Sequence, residues 1–239
     1  MSSRSLDLSA PWTDRPLAVV DFETTSQDAE TAIPVTVAVA RFESGVLVGG
    51  YSTPLDPGVA IPLDATEIHG ITDAEVRGAP AANDLGLVLA DSRVRHLHED
   101  AIPCAYNVPY ERTILRRLVN ASAFNWPMNY LRNWIDVLVL IRDIDKYVPG
   151  KGRYTLEKAC ERWGVSLGNA HNALADSIAT GQLLFALLSA GKVAPCSIAE
   201  LLRQTAEMEA EQTEEYQRYK ANPQKTEGIA SWLRRQQSK

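Results

Sequence analysis

The sequence has few cysteines and no long hydrophobic run. Its three cysteines, Cys104, Cys160 and Cys196, lie far apart and include no C-x-x-C pair, so neither a disulfide framework nor a zinc site is indicated. No segment approaches the length of apolar chain that spans a bilayer, and the polar start MSSRSLDLSAPWTDRP lacks the apolar stretch of a signal peptide. These absences predict a cytoplasmic protein with no membrane segment.

Positive charge is also scarce. The 24 Lys and Arg residues are outnumbered by 30 Asp and Glu residues, which leaves a net charge of −6. This balance argues against a general nucleic-acid coat protein, but an enzyme that contacts a few phosphates and binds cations with its acids remains compatible. With 239 residues, 45% of them hydrophobic, the chain can bury the core of one α/β domain with an extension, or of two very small domains.

Hydrophobic periodicity predicts a mixed α/β architecture. Strands are expected at about 17–23, 34–42 and 46–53, the last two forming an antiparallel hairpin, followed by a long ordered loop and then alternating helices and strands. The predicted domain limits are a flexible N-terminus at 1–15, a catalytic-type α/β domain at 16–192 and a helical C-terminal extension at 193–239.

Helices are expected at about 81–91 and in NVPYERTILRRLVN, where Arg112, Arg116 and Arg117 should face outward. Another should end at Gly164, and the next should begin at an Asn172 cap. That last helix carries a predicted apolar stripe of Leu174, Ile178, Gly181, Phe185 and Leu188.

Two carboxylates follow directly after the first hydrophobic strand, in PLAVVDFETTS. Side chains alternate along a strand, so Asp21 and Glu23 point the same way and Phe22 points the opposite way. Two like charges side by side repel each other unless a cation or a shared proton lies between them. A strand that merely runs out into solvent remains the simpler interpretation of this pair taken alone.

Two further acids occupy unusual positions on helices. Glu111 lies in the first turn of its helix on the inward face, where it either serves a site or only complements the helix dipole. Asp176 is surrounded by apolar residues in HNALAD, and His171 stands just before that helix, where a lone histidine is usually a surface residue.

Taken together, DFET, NVPYE and HNALAD closely resemble the three exonuclease motifs of the DnaQ-like DEDDh 3′→5′ exonucleases, which have a ribonuclease H-like fold. IHGIT (68–72) resembles that family's nucleobase-holding loop, and WIDVLVL resembles the segment that leads to its later helices. The resemblance runs from about Leu17 to Leu188. The sequence departs from the family at Glu111, where relatives have Asp, and less importantly at Ser26, where many have Gly.

The resemblance implies two Mg²⁺ or Mn²⁺ ions, bridged by Asp21, with Glu23 and Asp176 on one ion and Glu111 supporting the other. It implies that His171 is the general base, since an imidazole accepts a proton near neutral pH. The implied residues around the substrate are Thr24 and Thr25 at the terminal nucleotide, His69, Gly70 and Ile71 in a slot against the last base, and Asn107 and Tyr110 at the turn before Glu111.

The expected partner is the 3′ end of nucleic acid, foremost single-stranded DNA. The alternatives are a 3′→5′ exoribonuclease, or a nuclease-fold binding module whose catalysis Glu111 has weakened. The loop YVPGKGRY, with Lys151 and Arg153, is the candidate phosphate contact, although it is equally typical of a solvated charged loop. A tail helix carrying Ile229, Trp232 and Leu233 is expected to dock on its own domain, on a second copy as a homodimer, or on a protein partner.

Overall fold

The computed structural model describes residues 7–121, 133–146, 148–149 and 152–221. It contains a five-stranded sheet in the order β3-β2-β1-β4-β5. The strands are β1 (Leu17–Thr24), β2 (Pro34–Glu43), β3 (Val46–Pro54), β4 (Ile102–Ala105) and β5 (Ile135–Asp136).

β1 lies at the centre of the sheet. It pairs antiparallel with β2 over its full length and parallel with β4 from Leu17 to Val19. The apolar run of β1 is buried on both faces, which explains why it lacks the polar alternation of a half-exposed strand. The pairing with β2 shifts register between Glu23 and Thr24, where the strand leaves the sheet. The mixed sheet and its antiparallel hairpin confirm the predicted fold class.

The helices cover both faces of this sheet. They are α1 (Leu63–His69), α2 (Asp73–Val76), α3 (Leu85–Ala90), α4 (Ser92–His98), α5 (Val108–Ala121), α6 (Val137–Ile144), α7 (Leu156–Trp163), α8 (Ala173–Ser189) and α9 (Ile198–Ala221). Gly164 caps the end of α7 in a left-handed conformation, and Asn172 caps the start of α8, both as predicted. No helix in the described part of the chain is long and apolar enough to cross a membrane.

The helix predicted at about 81–91 is present, but its first part is a 3-10 turn, and the prediction missed α4 directly after it. A 3-10 turn at Ala82–Asp84 leads into α3, and Asp91 then breaks the helix and caps α4 by accepting a hydrogen bond from Arg93 N at 2.9 Å. Asp competes for backbone N–H groups in this way, which makes it a good cap and a poor residue for a helix interior.

The predicted inward stripe of α8 is only partly right. Its most buried side chains include Ser177, Leu184 and Leu187, whereas Leu174 and Phe185 are half-buried. α8 is apolar on most of its circumference, so periodicity did not single out the face against the sheet. Gly181 does lie on that face, against Phe42: a Cβ at this position would come within 2.2 Å of the Phe42 ring.

The start of α9 belongs to the same packed core. Ile198 and Leu201 are fully buried beside Trp12, and Ile198 N donates to Ala10 O at 2.9 Å. Further along, the Gln212 side chain donates to Val139 O at 3.0 Å, which holds α9 against α6. The predicted tail helix with Ile229, Trp232 and Leu233, and Lys151 of the phosphate-contact loop, lie outside the described residues.

Candidate active site

The end of β1 carries the first two acids into the interior. Glu23 is only 8% exposed, and Phe22 on the opposite face is buried in the core. The strand continues its alternation past its last apolar residue, so Asp21 and Glu23 share one face as the sequence predicts.

Asp176 of α8 meets these two carboxylates. One carboxylate oxygen from each of Asp21, Glu23 and Asp176 lies within 4.8 Å of the others, which is close enough for a single cation to contact all three. Glu111 of α5 is 5% exposed and lies near Asp21, although it is not a member of that trio. The fold therefore gathers acids from β1, α5 and α8 into one cluster, in which Glu23 and Glu111 are buried and Asp21 and Asp176 are half-buried.

Burial and mutual repulsion make this cluster hard to ionise. Burial, followed by the charges of Glu111, Glu23 and Asp176, raises the pKa of Asp21 well above its usual value. Burial together with the charge of Asp176 raises the pKa of Glu23 to about 7. Burial raises the pKa of Glu111 to about 8, assisted by the charge of Asp136. Such shifts mark a place that a positive charge would stabilise.

The donor set fits a divalent cation of the magnesium type. Within the described residues, Glu111 Oε2 and Asp176 Oδ1 are buried oxygens with no hydrogen-bond partner. A buried carboxylate oxygen without a partner is costly, and a metal ion would satisfy it. All four candidate ligands are carboxylates, the ligand type that Mg²⁺ and Mn²⁺ prefer.

His171 stands over Asp176 from the loop before α8. Its backbone N–H donates to Asp176 Oδ2 at 3.2 Å, and its side chain is exposed. The residue has a positive φ of 62°, a left-handed conformation that non-glycine residues rarely adopt outside functional or tightly held turns. Asn172 then caps α8 by accepting from Ala175 N at 3.1 Å. The loop thus holds an exposed imidazole at the edge of the acid cluster.

A cleft of about 920 Å³ adjoins the cluster at Glu23. Thr24, Thr25, His69, Asn107 and Tyr110 are among its lining residues. Asp21, Glu111, Asp176 and His171 are not part of the lining, so the cleft and the acid cluster are neighbours rather than one cavity.

Two hydroxyl groups share one acceptor at the floor of this cleft. Thr24 Oγ1 donates to Ser26 O at 2.8 Å, and the Tyr110 hydroxyl donates to the same carbonyl at 2.5 Å. The two hydroxyl oxygens also lie 2.5 Å apart. Each hydroxyl has one proton, so two protons are available for the three contacts among Thr24, Tyr110 and the Ser26 carbonyl. One hydroxyl is therefore able to turn towards a ligand without leaving the carbonyl unpaired.

His69 also lines this cleft. Ile71 N donates to His69 Nδ1 at 3.0 Å, which fixes the neutral tautomer with its proton on Nε2. Burial lowers the pKa of His69. The contact with the Thr24 backbone raises that pKa, and the charge of nearby His171 lowers it. Gly70 ends α1 in a left-handed conformation with φ 76°. Gly70 and Ile71 do not line the cleft. Ile71 N holds the His69 ring, which does line it.

The described lining of the cleft contains no Lys or Arg, and Asp28 and Asp64 add to its negative charge. Of the two predicted phosphate-contact residues, Arg153 is the described one, and it is not in this lining: its guanidinium stacks 4.6 Å from the Tyr154 ring centre.

Arg117 corrects another prediction. Instead of facing outward, it donates to Ala29 O at 2.7 Å and to Ala32 O at 2.9 Å. It thereby ties α5 to the loop that follows β1, the loop that forms one wall of the cleft.

Asp136 is a residue of the site region that sequence reasoning missed. Its Oδ2 accepts from Val108 N and its Oδ1 from Val139 N, both at 3.1 Å, so it joins the first turns of α5 and α6. Asn107, expected to secure this turn, contributes its carbonyl, which accepts from Tyr110 N at 2.9 Å. An Asp between a short strand and a helix is a recognisable N-cap signal. That signal predicts the cap of α6, which follows Asp136, but not the bond to α5.

Comparison with known proteins gives a consistent result. The family model of RNase T exonucleases matches residues 18–184. A DNA polymerase III subunit epsilon-like protein of Rhodobacter capsulatus is 30% identical over 164 residues, which are 66% of this chain and 21% of that protein. The DNA polymerase III subunit epsilon of Aquifex aeolicus is 26% identical over 192 residues, which are 78% of this chain and 87% of that protein. The chain thus spans about a fifth of the first relative and most of the second.

Solved structures share the fold. The nuclease domain of 3′hExo, a DEDDh family member bound to rAMP, has a TM-score of 0.60 at 17% identity, covering 74% of this chain and 93% of that chain. Escherichia coli exonuclease I with a dA16 oligonucleotide has a TM-score of 0.60 at 18% identity, covering 73% of this chain and 41% of that chain. Both neighbours carry the ribonuclease H-like arrangement that the sequence motifs imply.

Proposed function

The chain belongs to the RNase T exonuclease family, and from this we propose that it is a metal-dependent 3′→5′ exonuclease that removes nucleoside monophosphates from the 3′ end of DNA. The observation that carries the proposal is the close group of Asp21, Glu23 and Asp176, with Glu111 near Asp21 and unpartnered buried oxygens on Glu111 and Asp176. A protein without a cation to bind gains nothing from bringing four acids that repel one another together in a partly buried place.

In this proposal the four acids hold two Mg²⁺ or Mn²⁺ ions. Asp21 would serve both ions, Glu23 and Asp176 would hold one of them, and Glu111 would support the other. When bound, the ions supply positive charge that polarises the scissile phosphate and relieves the charge on the leaving oxygen.

The residues around the cluster carry out the remaining work. His171 accepts the proton of the attacking water, for which its exposed loop position beside Asp176 is suited. The water oxygen bonds to phosphorus, the P–O3′ bond breaks, and the products are a nucleoside 5′-monophosphate and a new 3′-hydroxyl end.

The cleft beside Glu23 receives the terminal nucleoside. Thr24 and Tyr110 offer hydroxyls to the sugar, and His69 presents its ring to the base. Because the lining is acidic, the phosphates of the strand must run over the acid cluster, where cations neutralise them, and not along the cleft.

The test is cleavage of a 5′-labelled single-stranded DNA oligonucleotide. The expected result is stepwise shortening from the 3′ end that requires Mg²⁺ or Mn²⁺ and stops with EDTA. Binding of the oligonucleotide without shortening would instead support a nuclease-fold binding module in which Glu111 has weakened catalysis.

An exoribonuclease is the second candidate, because the structural neighbours include one bound to rAMP as well as one bound to dA16. DNA and RNA oligonucleotides of one sequence, compared by kcat/KM, separate these functions. In this proposal the hydroxyls of Thr24 and Tyr110 are the groups that would meet the sugar and register a 2′-OH.

A further inference from the structure

We infer that Asp136 is a positioning residue for Glu111: its carboxylate fixes the start of α5, and thereby the place of Glu111 in the acid cluster. This inference rests on the proposed function of Glu111 as a metal-supporting acid. Asp136 itself is not proposed to contact metal or substrate.

Asp136 ends the edge strand β5 and is only 6% exposed. Both of its oxygens are used on helix starts, Oδ2 by Val108 N and Oδ1 by Val139 N, each at 3.1 Å. One side chain therefore caps α5 and α6 at once. The strand beneath it is held by pairing of Ala105 in β4 with Asp136, so the cap is anchored to the sheet.

Glu111 depends on this cap because it lies in the same first turn of α5 as Val108. The first N–H groups of a helix have no partner within the helix, and without one the end frays. Two other contacts hold this turn: Tyr110 N donates to Asn107 O at 2.9 Å, which is local, and the Tyr110 hydroxyl donates to Ser26 O just after β1. Neither of them pairs the free N–H of Val108, which donates to Asp136. A displaced first turn would move Glu111 away from Asp21.

The stability of α6 alone would not require an aspartate. A serine at position 136 can accept from Val139 N as a normal N-cap, because serine is among the best residues for that position. Its shorter side chain has a single oxygen, so it cannot also accept from Val108 N. Asp136→Ser therefore keeps one cap and removes the other.

The experiment measures Mn²⁺ binding to the metal-free protein by calorimetry, together with thermal unfolding of the same preparations. Thr155→Ala is the matched control, since Thr155 caps a different helix, α7, by accepting from Lys158 N. For Asp136→Ser we expect the weaker Mn²⁺ site to lose about tenfold or more in affinity, the usual scale for residues that orient metal ligands. The control should lose stability without that loss, and high Mn²⁺ should restore cleavage by Asp136→Ser.

The Glu111→Gln variant separates failure of the inference from failure of the proposed function. If Glu111→Gln weakens Mn²⁺ binding and Asp136→Ser does not, the positioning inference is overturned and the metal role of Glu111 stands. If Glu111→Gln binds Mn²⁺ like wild type, the role of Glu111 fails and the inference falls with it. Should the serine variant not fold, Asp136→Asn, which keeps the shape and can accept only one of the two bonds, replaces it with the same expected outcomes.

Discussion

Removing the charge of Glu23 should stabilise the metal-free protein at alkaline pH. Glu23 is buried beside Asp176, and these two causes raise its pKa from 4.5 to about 7. A difference of that size between folded and unfolded chain corresponds to about 3 kcal/mol of unfolding free energy. Because the folded-state pKa is raised, this contribution is fully present below pH 4.5 and is lost as pH rises through about 7.

The perturbation is Glu23→Gln, studied by urea unfolding in EDTA at about pH 4.5 and about pH 8. At the lower pH the variant and wild type should have nearly equal unfolding free energies. At the higher pH the variant should be more stable by about 3 kcal/mol, since wild type must then carry a buried charge that has no cation beside it. The exposed Glu67 of α1 provides the control variant Glu67→Gln, which should leave the pH dependence unchanged.

Metal should narrow the difference in unfolding free energy between the two proteins. An ion that binds only the folded state adds about 2.7 kcal/mol at a hundredfold excess over Kd, and Glu23→Gln forfeits part of that gain. A Glu23→Gln variant that is no more stable than wild type at about pH 8 without metal would refute the reasoning that burial strains this cluster.

Four other outcomes are expected. Asp21→Asn should abolish cleavage while keeping the fold, checked by activity assay and circular dichroism; near-normal activity would remove Asp21 from the metal site. His171→Ala should lose roughly 10²–10⁴-fold in cleavage rate with metal affinity little changed, and rescue by added metal would reassign His171 as a ligand. Glu111→Asp should preserve or raise activity whereas Glu111→Gln should lose most of it at low and high Mg²⁺; equal activity of both would leave Glu111 as a helix-dipole residue. Gly181→Ala should lower the unfolding free energy by about 1–3 kcal/mol in a urea titration, because the added Cβ meets the Phe42 ring, and an unchanged midpoint would contradict that packing.

The sequence predicted the central sheet well for a physical reason. The strands β1 to β3 are continuous in sequence, and their apolar runs are interrupted by turn residues that define the hairpin. Motif order likewise identified Asp21, Glu23, Glu111 and Asp176 as one group before any geometry was known. The predicted helix ended correctly at about 91, but α4, which starts again straight after Asp91, was missed because its polar sequence shows little apolar periodicity.

Local pattern by itself determined which side of β1 carries the acids, since strand alternation leaves Asp21 and Glu23 no other choice. It also determined where α8 begins, because Asn172 competes for the free N–H groups of the first turn. Only the tertiary structure decided that Asp136 caps a helix that precedes it in the chain by 28 residues. The tertiary structure also decided that Arg117 faces the loop after β1, where it donates to the carbonyl of Ala32, 85 residues earlier in the chain. Such bonds depend on which elements the sheet brings together, and no pattern within a single helix or strand records them.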